Sequence, residues 1–369
     1  MTRSRFAVPT SLHWFLLPAL GLVLAACAPG GQAINNWPGV SAGEDRLYVA
    51  HGSSIYAVDL EGDELWRYPV EPVRDRNFFA APAVADDGMV YAVAYQGMVI
   101  AISPDSGEAE WQFPTTDGEY GAADGRIIAS PAVAGDILLV PTDGGRLFFI
   151  DRHSGDLLRS FEGSGQLWSP PGIDGETAFL ASLAHTLYAI ELSTATEIWS
   201  VDLGDAIADN PTIEDGTLLS GVLGASLIGV DALGGHELWR APTQGGVWGS
   251  PAVADGQAVF GDVEGNVYAL DLADGTVLWQ ETPGEAVTTS PVIVDGRVIL
   301  GFENGALVAY NLETRSRDWD ETAAGPILSD PVVAGGLVVV AVTSDAALLQ
   351  AFDATTGDPA WNYLPAASR

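Results

Sequence analysis

Tryptophan returns along this chain at a fixed interval, and that interval limits the fold more than any other feature. Trp199, Trp239, Trp279 and Trp319 stand 40 residues apart, and Trp66, Trp111 and Trp361 extend the series at steps of 45 and 42. Arg159 holds the tryptophan position in the long gap between Trp111 and Trp199. Prolines mark the same register, at Pro38, Pro82, Pro131, Pro170, Pro211, Pro251, Pro291 and Pro331. A short unit repeated in this way cannot bury its apolar faces alone and must stack against its neighbours.

The cleanest copy is SPAVADGQAVFGDVEGNVYALDLADGTVLWQ, residues 250–280. It reads as four short strands: residues 251–254, 258–261 and 267–271, then a fourth ending on Trp279. Asp255-Gly256, Glu264-Gly265-Asn266 and Asp274-Gly275 separate them, and such pairs supply the positive φ that tight hairpins require. Apolar residues run on in the third strand with little alternation, as expected of strands covered on both faces. Four-stranded units of about 40 residues are the pattern of propeller blades. Closing them into a ring hides sheet faces that an open array would leave wet. The expected fold is therefore all-β, an eight-bladed β-propeller of four-stranded antiparallel blades.

One large aromatic per blade is most simply a packing residue, so Trp66, Trp111, Trp199, Trp239, Trp279, Trp319 and Trp361 are expected between neighbouring blades. DLADG, residues 271–275, superficially resembles a calcium loop but lacks the closing glutamate and remaining ligands, and reads as a turn. His51, His153, His185 and His236 fall in different blades without metal-ligand spacing. No metal is expected.

The first 26 residues read as an address. Arg3 and Arg5 precede an apolar run over residues 14–26, too short to span a bilayer and suited to a signal peptide. The run ends Leu24-Ala25-Ala26-Cys27, which resembles the bacterial lipobox, whose cysteine is acylated and becomes the new N-terminus. Each buried methylene contributes about 0.8 kcal/mol, so two or three chains anchor stably. The division expected is a lipoprotein signal over 1–26, a lipidated Cys27 with a Pro- and Gly-containing tether over 27–36, and the propeller over 37–369. That places the body outside the cytoplasm, tethered to a bacterial membrane. It lies at the periplasmic face where there are two membranes, and at the outer face of the cytoplasmic membrane where there is one.

Charge narrows the partners. Against 49 acidic residues the chain has 15 basic ones, all arginine, for a net charge of −34. Phosphate binding depends on basic residues displacing counterions, so nucleic acid is excluded as a partner. An anionic bilayer is likewise not held by electrostatics, which leaves attachment to the lipid anchor.

The stretches VYALDLADGTVLW, LYAIELSTATEIW and IYAVDLEGDELW, ending at Trp279, Trp199 and Trp66, resemble the pyrrolo-quinoline quinone (PQQ) enzyme repeat. That repeat occurs in eight-bladed quinoprotein dehydrogenases and in the BamB family of outer-membrane assembly lipoproteins. The dehydrogenases typically hold their quinone beneath an adjacent cysteine pair, above a tryptophan and beside calcium. Cys27 is the chain's one cysteine, so that pair cannot form. The resemblance thus implies a non-catalytic scaffold without a cofactor, a monomeric ring that binds an envelope protein as BamB-like proteins do, with a β-barrel assembly complex as the candidate partner.

Loop lengths show where such a partner would dock. From the tryptophan position to the next marker proline the spacing is 12 in four connections and 11 from Arg159 to Pro170. It is 16 from Trp66 to Pro82 and 20 from Trp111 to Pro131. Extra loop length on adjacent blades is where rigid scaffolds carry function. The first long connection contains Arg74, Arg76, Phe78 and Phe79, and the second contains Tyr120 and Arg126. Arginine and aromatics dominate binding hot spots, so these six form the expected protein-binding patch. Two readings stay open, because Phe78 and Phe79 could equally cap the blade core while the arginines neutralise nearby acid. Trp168 and Trp248, each just before a marker proline, either stack a small ligand such as a sugar or quinone or fill the central channel. The alternative function is accordingly an extracytoplasmic ligand-binding or sensor protein, and a PQQ-dependent dehydrogenase comes behind it.

Overall fold

The computed structural model describes residues 37–71, 73, 76–114 and 125–366. The first blade consists of β1 (Gly39–Ala42), β2 (Arg46–His51), β3 (Ser54–Asp59) and β4 (Glu64–Tyr68), paired antiparallel in that order. Numbering continues at four strands per blade to the eighth, β29 (Val332–Ala334), β30 (Leu337–Ala341), β31 (Leu349–Asp353) and β32 (Pro359–Tyr363). Each sheet consists of strands consecutive in sequence, so among the described residues no blade borrows a strand from another.

The first strands are the innermost. Those of blades 2 to 7 are β5 (Ala83–Val84), β9 (Ala132–Ala134), β13 (Gly172–Asp174), β17 (Thr212–Glu214), β21 (Ala252–Ala254) and β25 (Val292–Val294). β13, β17, β21, β25, β29, β1, β5 and β9 follow one another around the axis, and β1 touches β29 on one side and β5 on the other. Second and third strands are buried almost throughout, whereas fourth strands alternate toward solvent on the rim. The core is divided into eight clusters, each shared by two neighbouring blades. One unites Val40, Leu47 and Val58 of the first blade with Val339, Leu349 and Tyr363 of the last. That contact closes the ring.

Turn chemistry explains the hairpins. Asp255 and Gly256 both take positive φ, at 50° and 73°, which is the type I′ geometry whose twist matches the flanking strands. One detail of the register differs from expectation. Pro171 precedes β13 as Pro251 precedes β21, so Pro171 is the blade marker and Pro170 occupies the position of Ser250. Arg159 then stands 12 residues from its proline, like the other short connections.

Every blade carries a bulge between its third and fourth strands, next to the pair that holds the repeated aromatic. The indole Nε1 of Trp66, Trp111, Trp199, Trp239, Trp319 and Trp361 donates to a carbonyl of the next blade, at Pro104, Arg152, Ala232, Leu272, Ala354 and Leu60 respectively. Arg159 performs the same task with its guanidinium, donating to Leu192 O at 2.7 Å and also to Ser193 O. Trp279 packs against Tyr310 of the next blade, but its Nε1 is buried without a partner among the described residues.

Candidate protein-binding site

In blades 2 to 7 the segment that leads into the first strand is hydrogen-bonded to the turn between second and third strands of the same blade. Tyr95 N donates to Asn77 O, Asp143 N to Arg126 O, and Leu183 N to Gln166 O, with matching bonds at Leu223, Val263 and Glu303. Loop residues on this face are therefore held by the scaffold, although they belong to no strand.

Around the two long connections this produces one connected cluster. Phe79 packs on Tyr95 with ring centroids 5.7 Å apart. The Arg126 guanidinium lies over the same Tyr95 ring, 5.2 Å from its centroid, and donates to the Tyr95 hydroxyl. Arg126 Nε also donates to Asp143 Oδ2 at 2.6 Å. Asp143 is nearly buried, while the Arg126 side chain stays 44% exposed. A half-exposed arginine fixed by a carboxylate and an aromatic has already lost most of its rotamer freedom, which lowers the entropy cost of binding.

The expected patch is thus partly assembled. Phe79 and Arg126 come together, and Arg76 is half-buried on the same connection as Phe79. Phe78 does not join them. It is wholly buried in the core between the first two blades, with Tyr48, Ile55 and Ile100, and its amide donates to Gly52 O. Its position in the repeat is held elsewhere by Ile127, Leu167, Ile207, Val247, Val287 and Ile327, all buried, so it is a core residue and presents nothing to a partner. Arg74, Tyr120 and the lipidation candidate Cys27 lie outside the described residues. Tyr95 and Asp143, which hold the cluster together, carried no signal in the loop lengths. They sit on strand-to-strand turns 31 and 17 residues from Arg126, and only the fold brings them there.

Trp168 and Trp248 occupy the repeat position of Phe79, one residue after the buried Leu167 and Val247. Both are half-buried, and Trp168 Nε1 is buried with no partner among the described residues. Among the described residues no group of His, Cys, Asp or Glu is placed to hold a metal ion, and no helix is long and apolar enough to cross a membrane.

Comparison with known proteins supplies the family. The model of the family described as outer membrane protein assembly factor BamB matches residues 29–166, 159–281, 184–325 and 264–368, nearly the whole ring. The chain belongs to the BamB family. The crystal structure of BamB from Moraxella catarrhalis superposes with a TM-score of 0.68 at 16% identity, covering 84% of this chain and 94% of that one. The computationally designed Ika8 protein superposes with a TM-score of 0.71 at 17% identity, covering 88% and 95%. A designed ring fits as well as BamB does, so these likenesses speak for the fold alone. A polyvinylalcohol dehydrogenase from Pseudomonas sp is 27% identical over 164 residues, 38% of this chain. The match spans 24% of that dehydrogenase.

Proposed function

We propose that this BamB-family chain is a non-catalytic, lipid-anchored scaffold that holds a protein of the outer-membrane assembly machinery against the face carrying Phe79, Tyr95 and Arg126. The observation that carries this reading is the fixed Phe79–Tyr95–Arg126–Asp143 cluster, built on the two connections that are longer than the rest. Its residue types are those of hot spots, and its rigidity reduces the ordering cost of association. In this reading Cys27 carries the acyl chains, and the ring stands at the periplasmic face of the membrane that holds them. A redox role is disfavoured by the single cysteine of the sequence and by the short span shared with the dehydrogenase.

The experiment is cross-linking in native membranes followed by affinity purification, comparing the wild type with Arg126→Ala and Arg76→Glu. Recovery of a barrel-assembly protein with the wild type, reduced at least about tenfold by Arg126→Ala, is the expected result for a hot-spot arginine worth ~1.4 kcal/mol or more. Undiminished recovery with both variants, each folded by circular dichroism, refutes the site.

The buried, unpartnered Nε1 of Trp168 favours a second reading, in which a ligand acceptor meets that indole. Titration of sugars and quinones with tryptophan emission as the signal separates the two. Saturable quenching lost in Trp168→Phe supports a ligand, and a flat titration leaves the scaffold.

A further inference from the structure

Ten large apolar side chains stay exposed among the described residues, and they are not spread evenly. Five stand on fourth strands around the rim, and Leu233 stands in the turn between β19 (Ser226–Asp231) and β20 (Glu237–Pro242). The other four, Trp37, Val70, Val73 and Leu364, lie on the face that carries the connections between blades, all at or beside the first blade. Arg67 Nη1 donates to Ala366 O at 3.2 Å, which lays residues 364–366 beside the end of β4, from which the chain runs on to Val70. Gly39 packs so tightly on the backbone of Phe79 and Ala81 that a Cβ there would collide with it, so Trp37 adjoins the same connection. The two ends of this blade are opposite in character. Hairpin turns at the far end carry Glu44, Asp45, Glu61 and Asp63, all exposed. The near end, over the described residues of 37–39, 51–54, 69–73 and 364–366, exposes Glu71 as its one carboxylate.

We propose that, with Cys27 acylated as in the scaffold reading, this end of the first blade rests on the lipid bilayer. Trp37, Val70, Val73 and Leu364 then sit in the headgroup boundary, and the acidic turns stay in water. The contact depends on that reading of Cys27. Chain length supports it. Cys27 stands ten residues before Trp37, so full extension reaches at most about 36 Å. Trp37 is at the channel, because Pro38 leads straight into β1, the innermost strand. From there the way to the opposite face crosses three strand spacings, about 14 Å, and then follows six-residue strands for about 20 Å more. Those ~34 Å would use up the tether before it entered a membrane. Facing the bilayer with the Trp37 end costs none of that length.

The residue types suit that boundary. Tryptophan, with an apolar ring and a polar N–H, favours the level of the headgroups, while valine and leucine enter the acyl margin. A chain of net charge −34 is repelled by anionic lipid, and turning Glu44, Asp45, Glu61 and Asp63 away lowers that repulsion. Four side chains are too few to hold the protein by themselves, so the contact orients a ring that the acyl chains already hold. Phe79, Tyr95 and Arg126 share this face, which presents them along the membrane surface to a partner embedded there.

Cys27 is the chain's one cysteine, so once it is acylated an added cysteine is the only free thiol. The acylated protein with Val70→Cys or Leu364→Cys, each labelled with a nitrobenzoxadiazole fluorophore, is placed in phosphatidylcholine vesicles whose acyl chains bear a nitroxide quencher. Leu233→Cys, at a position 88% exposed on the opposite face, is the control. A label entering ~5–10 Å meets the nitroxide, so emission is expected to fall about twofold at both test positions and by less than about a tenth at Leu233→Cys. Equal quenching at all three positions, or none at Val70→Cys and Leu364→Cys, overturns the contact. Labels that are silent in lipid and respond only when a barrel-assembly protein is added assign the patch to a protein, and overturn it too. Mass spectrometry of the N-terminal peptide separates the two failures. An acylated Cys27 without quenching leaves the anchor standing and removes the bilayer contact, whereas an unmodified Cys27 removes both.

Discussion

At Arg159 one missing tryptophan is compensated at two other positions. In seven blades the residue paired with the tryptophan across the bulge is small: Ala57, Ala101, Ala189, Gly229, Ala269, Ala309 or Ala351. Opposite Arg159 it is Phe149, so ring volume lost on the fourth strand is restored on the third. The next blade answers too. Six of the tryptophans lie against a glycine at positive φ, as Trp239 lies against Gly275, where a Cβ would come within 2.5 Å of the indole. The residue facing Arg159 is Ala195, and a slimmer guanidinium leaves room for its methyl. Arg159→Trp alone is therefore expected to destabilise by ~1–3 kcal/mol through overpacking. Adding Phe149→Ala and Ala195→Gly should recover most of that loss, giving a coupling above about 1 kcal/mol in urea unfolding. Additive losses would show that the three positions are unrelated.

The strands themselves were legible because each hairpin announces itself: Asp255-Gly256 and its counterparts fix the turn, and buried second and third strands need only apolar runs. Less legible was whatever depends on neighbours distant in sequence. Pro170 and Pro171 are indistinguishable until β13 is placed, and Tyr95 and Asp143 gain a role only when their turns meet the connection holding Arg126. Of the two readings open for Phe78, its burial decides for the blade core: an apolar pair in a long connection resembles a surface patch until it is compared with the buried Ile127 and Leu167 of the repeat. The turn of residues 262–266 shows what one such element contributes. Asp262 is fully buried and accepts from the amides of Gly245, Glu264 and Asn266, the Asn266 side chain and the Tyr268 hydroxyl. Thr142 and Ser182 receive a single amide at the same place in other blades. Asp262→Ala strands several buried donors at once, each costing ~1–3 kcal/mol. The expected loss is about 3–5 kcal/mol, well above that of Ser182→Ala, and equal losses from the two would refute this account.

For the ring as a whole, the joint between the last blade and the first is the one no peptide bond crosses. Since no strand is exchanged there, side chains alone must hold it. Trp361 Nε1 donates to Leu60 O at 2.6 Å, the Tyr363 hydroxyl donates to Glu64 Oε2 at 2.6 Å, and Arg67 donates to Glu64 Oε1 while lying 5.3 Å over the Tyr56 ring. Burial, and next the Glu64 carboxylate, raise the Tyr363 hydroxyl above the usual tyrosine range, so it remains a donor at all physiological pH. Bringing together groups about 300 residues apart costs only slowly growing loop entropy, but that entropy is recovered whenever the joint opens. An interior joint has no such escape, because its two blades remain tied by a short connection. Trp361→Ala and Trp239→Ala should thus cost similar amounts in global unfolding, ~3–5 kcal/mol, yet differ in how they fail. In native-state hydrogen exchange Trp361→Ala is expected to release β1 and β32 through local opening while blades 4 and 5 keep their protection. Trp239→Ala is expected to lower protection around the ring together. A uniform loss in both variants would mean that the closing joint is no weaker than the others, and that the circle opens only when the entire fold does.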